Sequence, residues 1–454
     1  MNKRALFSIT AVLVVALPLA YGAATQALSN DPVHHQQDGD ELSKDDREAA
    51  GILQFAADQG DAGAQVDLGI VYAQGRGLPN DDREAARLFK LAAGQGNPVA
   101  QYNLGVFYDE GRGGLQQDDQ EAARLFKLAA DQGYASAQVN LGHFYSEGAG
   151  GLPHDRREAA RLYRLAADQG DATAQYNLGV HYDQGRGGLP KDDREAVRLY
   201  KLAADQEYAS AQVNLAYFYD EGLGGLQKNA REAARLYRLA ADQGDATAQY
   251  NLGLFYSVGH GGLPKDEREA ARLYRLAADQ GDASAQLSLG NFYDDGLGGL
   301  RKDAREAARL FKLAAEQGNP AAQFNLGLFY RQGHGGLQQD DREAARLYRL
   351  AADQGSVSAQ VSLGHFYAEG LGGLQKDEGE AARLFKLAAE QGNPTAQQNL
   401  GLFYEEGRGG LPKDEQEAAR LYKLANEQRS LLEKMSRLAM QSARLAIEIA
   451  SRFP

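Results

Sequence analysis

The sequence predicts an all-α protein, a solenoid of about ten helical-hairpin repeats. An Ala-Gln pair and a Glu-Ala pair each recur every 37 residues, with one shorter step of 36 near the start. A fixed period in this range is typical of stacked repeats. Within each period, two stretches carry apolar residues at helical spacing, and a glycine-rich loop separates them. The glutamines of the first pair are Gln65, Gln101, Gln138, Gln175, Gln212, Gln249, Gln286, Gln323, Gln360 and Gln397.

The first helix of a repeat begins near Asn97 and Pro98 in the copy that we take as the example. Asparagine is a suitable N-cap, and proline suits the first helical position. The apolar residues that follow, among them Leu104, form one stripe at about 100° per residue. Gly105 lies at the edge of that stripe, where its missing side chain lets a second helix approach closely. Gly111 is expected to end the helix, because glycine adopts positive φ freely.

The second helix opens with acidic residues, Asp118 and Asp119 in the same copy. Carboxylates are favourable there because the N-terminus of a helix carries partial positive charge. The helix is expected to stop at Gly133, and Glu207 stands in the equivalent place of another copy, where we expect a strained or differently shaped turn. Its apolar stripe consists of Ala122, Leu125, Phe126, Ala129 and Ala130.

The first 24 residues have the pattern of a secretory signal peptide. Lys3 and Arg4 are followed by an apolar stretch over 5–19 and then by small residues. Cleavage after Gly22 and cleavage after Ala24 both fit, and an uncleaved membrane anchor is the alternative. The chain has no cysteine, which excludes a lipoprotein anchor, disulfides and thiolate metal sites.

Two segments flank the predicted array. Residues 25–44 are polar and are expected to form a flexible spacer, and a half-repeat helix over 45–60 follows. At the other end, Arg429 replaces the stop glycine, so a helix over 426–454 is expected to continue and cap the array. A dimerising coiled coil is the alternative for this helix, whose seam residues are Leu431, Met435, Leu438, Ser442, Leu445 and Ile449.

The repeat resembles the Sel-1-like repeat, a relative of the tetratricopeptide repeat, over ten units from 61 to 425. The resemblance implies a right-handed α/α superhelix that acts as a protein–protein adaptor, and some bacterial members are secreted. Members with disulfide staples have cysteines that this chain lacks. In one copy the matching residues are Ala174, Leu178, Gly179, Tyr182, Gly185, Gly187, Asp192, Ala196, Tyr200, Ala203 and Ala204.

Charge and residue inventory exclude several classes of function. The formal net charge is −13 and there is no basic tract, which argues against nucleic acid and anionic lipid as partners. Acidic residues recur at scaffold positions, so no unique acid–base pair or Ser/His/Asp set is visible. We therefore expect no enzyme activity, no cofactor and no metal.

Binding is expected on the first helices, where side chains that point away from the core should line a concave surface. Apolar and aromatic groups beside amides suit a groove for an extended peptide or a helix. For Tyr102, Tyr176 and Tyr250, packing between neighbouring first helices is an equally good interpretation. The predicted partner-binding residues are Tyr102, His143, Tyr176, Tyr217, Tyr250, Asn291, Phe324, Arg331 and His365.

Together these features predict an exported scaffold, periplasmic or secreted, that binds a protein or peptide on its concave face. We expect no stable membrane insertion after signal cleavage, and a monomer, with a dimer through the C-terminal helix as the alternative. By family analogy alone, the protein could instead bind or hydrolyse cell-wall material or β-lactams. A host-directed secreted effector is the third alternative.

Overall fold

A computed structural model of the protein describes residues 44–75, 77–431 and 434. In this part of the chain every regular element is a helix, and the helices pack as consecutive hairpins, which confirms the predicted all-α solenoid class. The chain divides into two compact units, residues 1–229 and 230–454. The predicted signal peptide and almost all of the predicted spacer lie outside the described residues.

The first unit consists of a single helix, four hairpins and the first helix of a fifth hairpin. The first helices of the hairpins are α2, α4, α6, α8 and α10, and each of the first four packs most closely against the second helix of its own hairpin. The ten helices are α1 (Lys44–Asp58), α2 (Ala62–Gln74), α3 (Asp82–Gly94), α4 (Pro98–Glu110), α5 (Asp119–Asp131), α6 (Ala135–Glu147), α7 (Arg156–Asp168), α8 (Ala172–Gln184), α9 (Asp193–Ala204) and α10 (Ala209–Glu221).

The second unit opens with a second helix and continues with hairpins whose first helices are α12, α14, α16, α18 and α20. Its helices are α11 (Ala230–Asp242), α12 (Ala246–Val258), α13 (Glu267–Asp279), α14 (Ala283–Asp295), α15 (Ala304–Glu316), α16 (Pro320–Gln332), α17 (Asp341–Asp353), α18 (Val357–Glu369), α19 (Glu378–Glu390), α20 (Pro394–Glu406) and α21, which begins at 415.

The helix ends form as the sequence predicts. The side chain of Asn97 accepts hydrogen bonds from the backbone N–H groups of Val99 and Ala100 at the start of α4. Asp118 caps α5 in the same way. Gly111 ends α4 with a φ of 65°, and its N–H donates to the carbonyl of Phe107. The hairpin of α4 and α5 therefore begins and ends at positions that local chemistry specifies, whereas α6, α10 and α18 begin without a side-chain cap.

The glycine within each first helix permits the close packing that the sequence predicts. A Cβ atom at Gly105 would lie 2.8 Å from Cε1 of Phe126, which is closer than real contacts allow. Phe126 is completely buried in the core of this hairpin, together with Leu141 and Ala122. The missing side chain thus brings the aromatic ring of the second helix against the backbone of the first.

Glu207 occupies the turn in which the other copies have glycine. Its φ is 63°, and it is the only non-glycine residue with positive φ in the described part of the chain. The backbone N–H of Tyr208 still donates to the carbonyl of Ala203 over 3.1 Å, so the turn keeps its hydrogen bond. The predicted strain is confirmed, because a left-handed conformation is unfavourable for a residue with a Cβ atom.

The last described helix, α21, continues past the point where the other second helices end. Helix α5 stops at Asp131, whereas α21 runs without interruption from 415 through 431. The rest of the predicted capping segment, residues 435–454, lies outside the described residues. Among the helices that the structure describes, none is long and apolar enough to cross a membrane.

Candidate partner-binding surface

The candidate surface consists of side chains on the first helices that are not enclosed by the core. They occupy the positions equivalent to Tyr102, Asn103, Val106 and Asp109 of α4, and we call their surface the first-helix face. Tyr102, Val106 and Asp109 are three or four residues apart, and Asn103 is three residues before Val106, so the four positions lie on one side of the helix. Each hairpin contributes one set, and each unit of the chain therefore carries its own row of sets.

Four of the predicted partner-binding aromatics are half-buried. The ring of Tyr102 lies 5.9 Å from that of Phe126 and 5.3 Å from that of Tyr134. Two hairpins later, Tyr176 makes the equivalent two contacts, with Tyr200 and Tyr208. Tyr250 and Phe324 each contact the aromatic ring of their own second helix, at 5.9 Å and 5.7 Å. These residues pack within the fold and present only part of each ring to solvent.

Three predicted residues are more exposed. Tyr217 on α10 is 52% exposed, although it is a large apolar side chain. His143 on α6 and Arg331 on α16 are also exposed. They differ in chemistry while the scaffold around them repeats.

Polar side chains connect neighbouring first helices in the second unit. The Asn399 side-chain nitrogen lies 3.0 Å from Nε2 of His365, an arrangement in which the amide donates to the neutral ring. Asn325 donates to the side-chain oxygen of Asn291 over 3.1 Å in the same way. Burial lowers the pKa of His365, and the charge of Arg331 lowers it further. The structure thus brings Arg331 and His365 together, and it places Asn291 with Asn325 in another pair of hairpins.

The first-helix face is strongly acidic. The ten first helices contain twelve Asp and Glu residues, and Arg331 is their only Lys or Arg. Six of the twelve lie on the first-helix face itself: Asp67, Asp109, Asp183, Asp220, Asp294 and Glu405. Burial raises the pKa of Asp109, and the nearby carboxylates of Asp119 and Glu110 raise it further. In the described part of the chain, no group of three or more His, Asp or Glu side chains is placed to hold a metal ion.

A second exposed row was missed in the sequence. Eight of the ten second helices carry one leucine that is roughly two-fifths exposed, such as Leu128 at 39% and Leu165 at 41%. The available signal was that Leu128 lies beside the apolar stripe rather than within it. The other members that are clearly exposed are Leu91, Leu202, Leu239, Leu276, Leu350 and Leu387.

The profile of the Sel1 repeat matches eleven consecutive segments, which together span residues 27–430. The chain belongs to the Sel1 repeat family. Ten of the matched segments, from 62–97 to 394–430, begin at the first helices of the structure, and the eleventh covers 27–61. The resemblance predicted from the repeat residues is therefore confirmed.

The solved structure of a relative from Escherichia coli agrees with this assignment. The chain is 32% identical to c5321, a protective antigen present in uropathogenic Escherichia coli strains that displays an SLR fold. That alignment covers 94% of this chain and 90% of the other, with a TM-score of 0.67. A Sel1 repeat protein from Oxalobacter formigenes is 33% identical over 55% of this chain and 96% of its own, with a TM-score of 0.49. No curated protein matches the chain.

Proposed function

We propose that this Sel1 repeat protein is an exported scaffold that binds a protein or an extended peptide along its first-helix face, on the concave side of the array. The family acts generally through protein–protein interaction. One observation carries the finer proposal: the scaffold residues repeat in every hairpin, whereas one solvent-facing position of the first helix holds His143, Tyr217 and His365 in different copies.

The chemistry of this face suits a polypeptide ligand. Partly exposed aromatic groups such as Tyr217 supply apolar area at low cost in side-chain entropy, and such residues dominate the energy of many interfaces. The amides of Asn325 and Asn399 can satisfy the backbone groups of a bound segment. Acidic residues along the same helices would favour partners that are basic overall.

Two observations support export. The segment 1–24 has the basic, apolar and small-residue regions of a signal peptide. The relative from uropathogenic Escherichia coli is a protective antigen, and a similar encounter of this chain with a host would be consistent with export. Fractionation of cells that express the full chain, followed by N-terminal sequencing, tests this part. Cytoplasmic protein that retains residues 1–24 would contradict it.

Capture of partners from an envelope fraction tests the binding face. The full chain would be crosslinked to its partners as wild type and with Tyr217→Ala combined with His365→Ala. We expect the double variant to lose most of the captured partner while it keeps the helical content of the wild type. Leu165→Ala is the matched control, because Leu165 is similarly exposed but lies on a second helix.

Retention of the partner by the double variant and its loss with Leu165→Ala would move the binding site to the second helices. Hydrolysis of a β-lactam or a muropeptide by the purified chain, with partner capture unaffected, would contradict the scaffold proposal and support the cell-wall alternative. Capture of a partner from a host-cell lysate, with no partner captured from the envelope fraction, would support the effector alternative.

A further inference from the structure

Arg331 differs from every other residue on the first helices. It is the only Lys or Arg in these ten helices, and its side chain is exposed. Its guanidinium carbon lies 5.3 Å from the centre of the Phe366 ring, which is itself fully buried. Among the described residues, no carboxylate lies within ion-pair distance of this guanidinium. Arg331 is therefore an oriented cation that has no anionic partner within the fold.

Other hydrogen-bonding groups lie beside Arg331. The hydroxyl of Tyr348 is buried with the Arg331 guanidinium beside it, and among the described residues no acceptor for its proton lies in hydrogen-bonding geometry. Burial raises the pKa of Tyr348 to about 12, although the charge of Arg331 opposes the rise, so the hydroxyl stays protonated and can donate. His365 also lies within the electrostatic reach of Arg331 and contacts Asn399. A buried tyrosine hydroxyl that has no acceptor for its proton is uncommon in folded proteins.

The equivalent hairpin in the first unit shows which features around Tyr348 are shared between copies and which occur only at Arg331. Four repeats earlier, the hydroxyl of Tyr200 is also buried and makes no hydrogen bond of good geometry, with the Asn214 side chain beside it. The position of Arg331 is occupied there by Asp183, which lies 3.5 Å from Lys191, and the position of His365 is occupied by Tyr217. A buried tyrosine hydroxyl of this kind thus occurs in both units, whereas an arginine at the position of Arg331 occurs in the second unit alone.

We propose that Arg331 binds a carboxylate of the partner polypeptide. This inference rests on the proposed function, since it specifies how a segment on the first-helix face is held. A guanidinium presents a planar set of donors that matches a carboxylate, and its contact with Phe366 restricts its orientation. A carboxylate held there also brings an acceptor oxygen near the Tyr348 hydroxyl. Elsewhere the acidic face repels carboxylates, so the position of Arg331 fixes the register of the bound segment.

The side chains around Arg331 indicate what flanks the carboxylate. Phe324 and Leu328 of the same helix are half-buried and leave apolar area open on the side of the preceding turns. An apolar residue of the partner next to its acidic group would cover that area. The expected ligand is therefore a segment in which a carboxylate, from a side chain or from the chain end, follows or precedes an apolar residue.

Binding to arrayed peptides tests the proposal with the full chain. The probe is an array of random peptides of 12 residues, each synthesised with a free C-terminal acid and with a C-terminal amide. We expect the wild-type chain to select peptides with a carboxylate, and Arg331→Gln to weaken their binding at least about tenfold. If the selected peptides contain Asp or Glu and bind equally well as acid and amide, the bound carboxylate belongs to a side chain. If only the free-acid forms bind, the bound carboxylate is the C-terminus of the peptide.

Tyr348→Phe is a second variant that preserves the fold, because phenylalanine holds this position in other copies, as at Phe311 and Phe385. We expect it to weaken carboxylate peptides about threefold or more, with Tyr200→Phe as the matched control that leaves them unchanged. Peptides selected equally with and without a carboxylate, or unaffected by Arg331→Gln, would overturn this inference and leave the binding face intact. No selection by the wild-type chain would overturn both.

Discussion

Gln354 donates a hydrogen bond from its side-chain nitrogen to the side-chain oxygen of Gln323 over 2.9 Å. Gln323 is buried and donates in turn to the carbonyl of Ala315 in the preceding second helix over 3.3 Å. The same pair recurs along both units, for instance between Gln132 and Gln101 over 2.8 Å. The repeated glutamine therefore links three helices by hydrogen bonds that are largely shielded from water.

Removal of this glutamine should destabilise the array by an amount that depends on its partners. We expect Gln323→Leu to lower the free energy of unfolding by about 2 kcal/mol, since it removes two hydrogen bonds, one to the Ala315 carbonyl and one from Gln354. The side-chain oxygen of Gln397 is buried without a partner, so Gln397→Leu should cost about 1 kcal/mol less. Urea unfolding followed by circular dichroism measures both, and equal losses would contradict the assigned hydrogen bonds.

Close packing at the helix glycine predicts opposite effects for two Gly→Ala substitutions. A Cβ atom at Gly253 would lie 2.7 Å from Cε1 of Tyr274, so Gly253→Ala should destabilise by about 1–3 kcal/mol. Gly51 also lies in a helix, but no atom lies within 4 Å of the place that a Cβ atom would take there. Gly51→Ala should therefore stabilise the protein by up to about 1 kcal/mol. Ala216 occupies the equivalent of Gly253 in another copy, so the protein should still fold. Calorimetry of both variants measures the difference.

The turn at Glu207 should become more stable with glycine. Because φ is 63° there, Glu207→Gly removes the steric cost of a Cβ atom, and we expect a gain of about 0.5–1 kcal/mol. The reverse substitution Gly133→Glu, where φ is 87° and no atom lies within 4 Å, should cost about 1 kcal/mol. Thermal melts of the two variants check the pair. A stabilising effect of Gly133→Glu would show that conformation does not determine the outcome.

His181 should make the first unit sensitive to acid. It is 7% exposed, stands where most copies have phenylalanine, and contacts the ring of Tyr163 at 5.5 Å. Burial lowers its pKa, and the charges of Arg186 and Arg156 lower it further. The unfolded chain therefore binds a proton more readily than the folded chain, and stability should fall as the pH drops below about 6.5.

Replacement of His181 tests that dependence. The melting temperature of the wild type should fall between pH 7.5 and pH 5, a range that brackets the ordinary pKa of histidine. We expect this fall to be smaller in His181→Phe, because the variant lacks the buried ring that takes up the proton. The converse variant Phe144→His should add a similar loss, because Phe144 is equally buried at the equivalent position. Identical pH profiles for wild type and His181→Phe would rule out a contribution from this ring.

Local sequence determined most of the fold of this protein. The period, the caps at Asn97 and Asp118 and the stop at Gly111 all depend on residues that are close in the chain, and the structure reproduces them. The strain at Glu207 was predictable for the same reason, since the effect of a Cβ atom on φ is local. The candidate binding positions followed from the same helical spacing.

Exposure was decided only by the tertiary structure. Helical spacing gives the direction of Leu125 and Leu128 about their own axis, but neighbouring hairpins bury the first and leave the second 39% exposed. The same holds for Tyr348 and Tyr200. Both hydroxyls are buried, but the first-helix residue at the same position is Arg331 in one hairpin and Asp183 in the other. These contacts join residues on different helices, so burial and charge at the candidate surface depend on packing between helices and not on the sequence of any single helix.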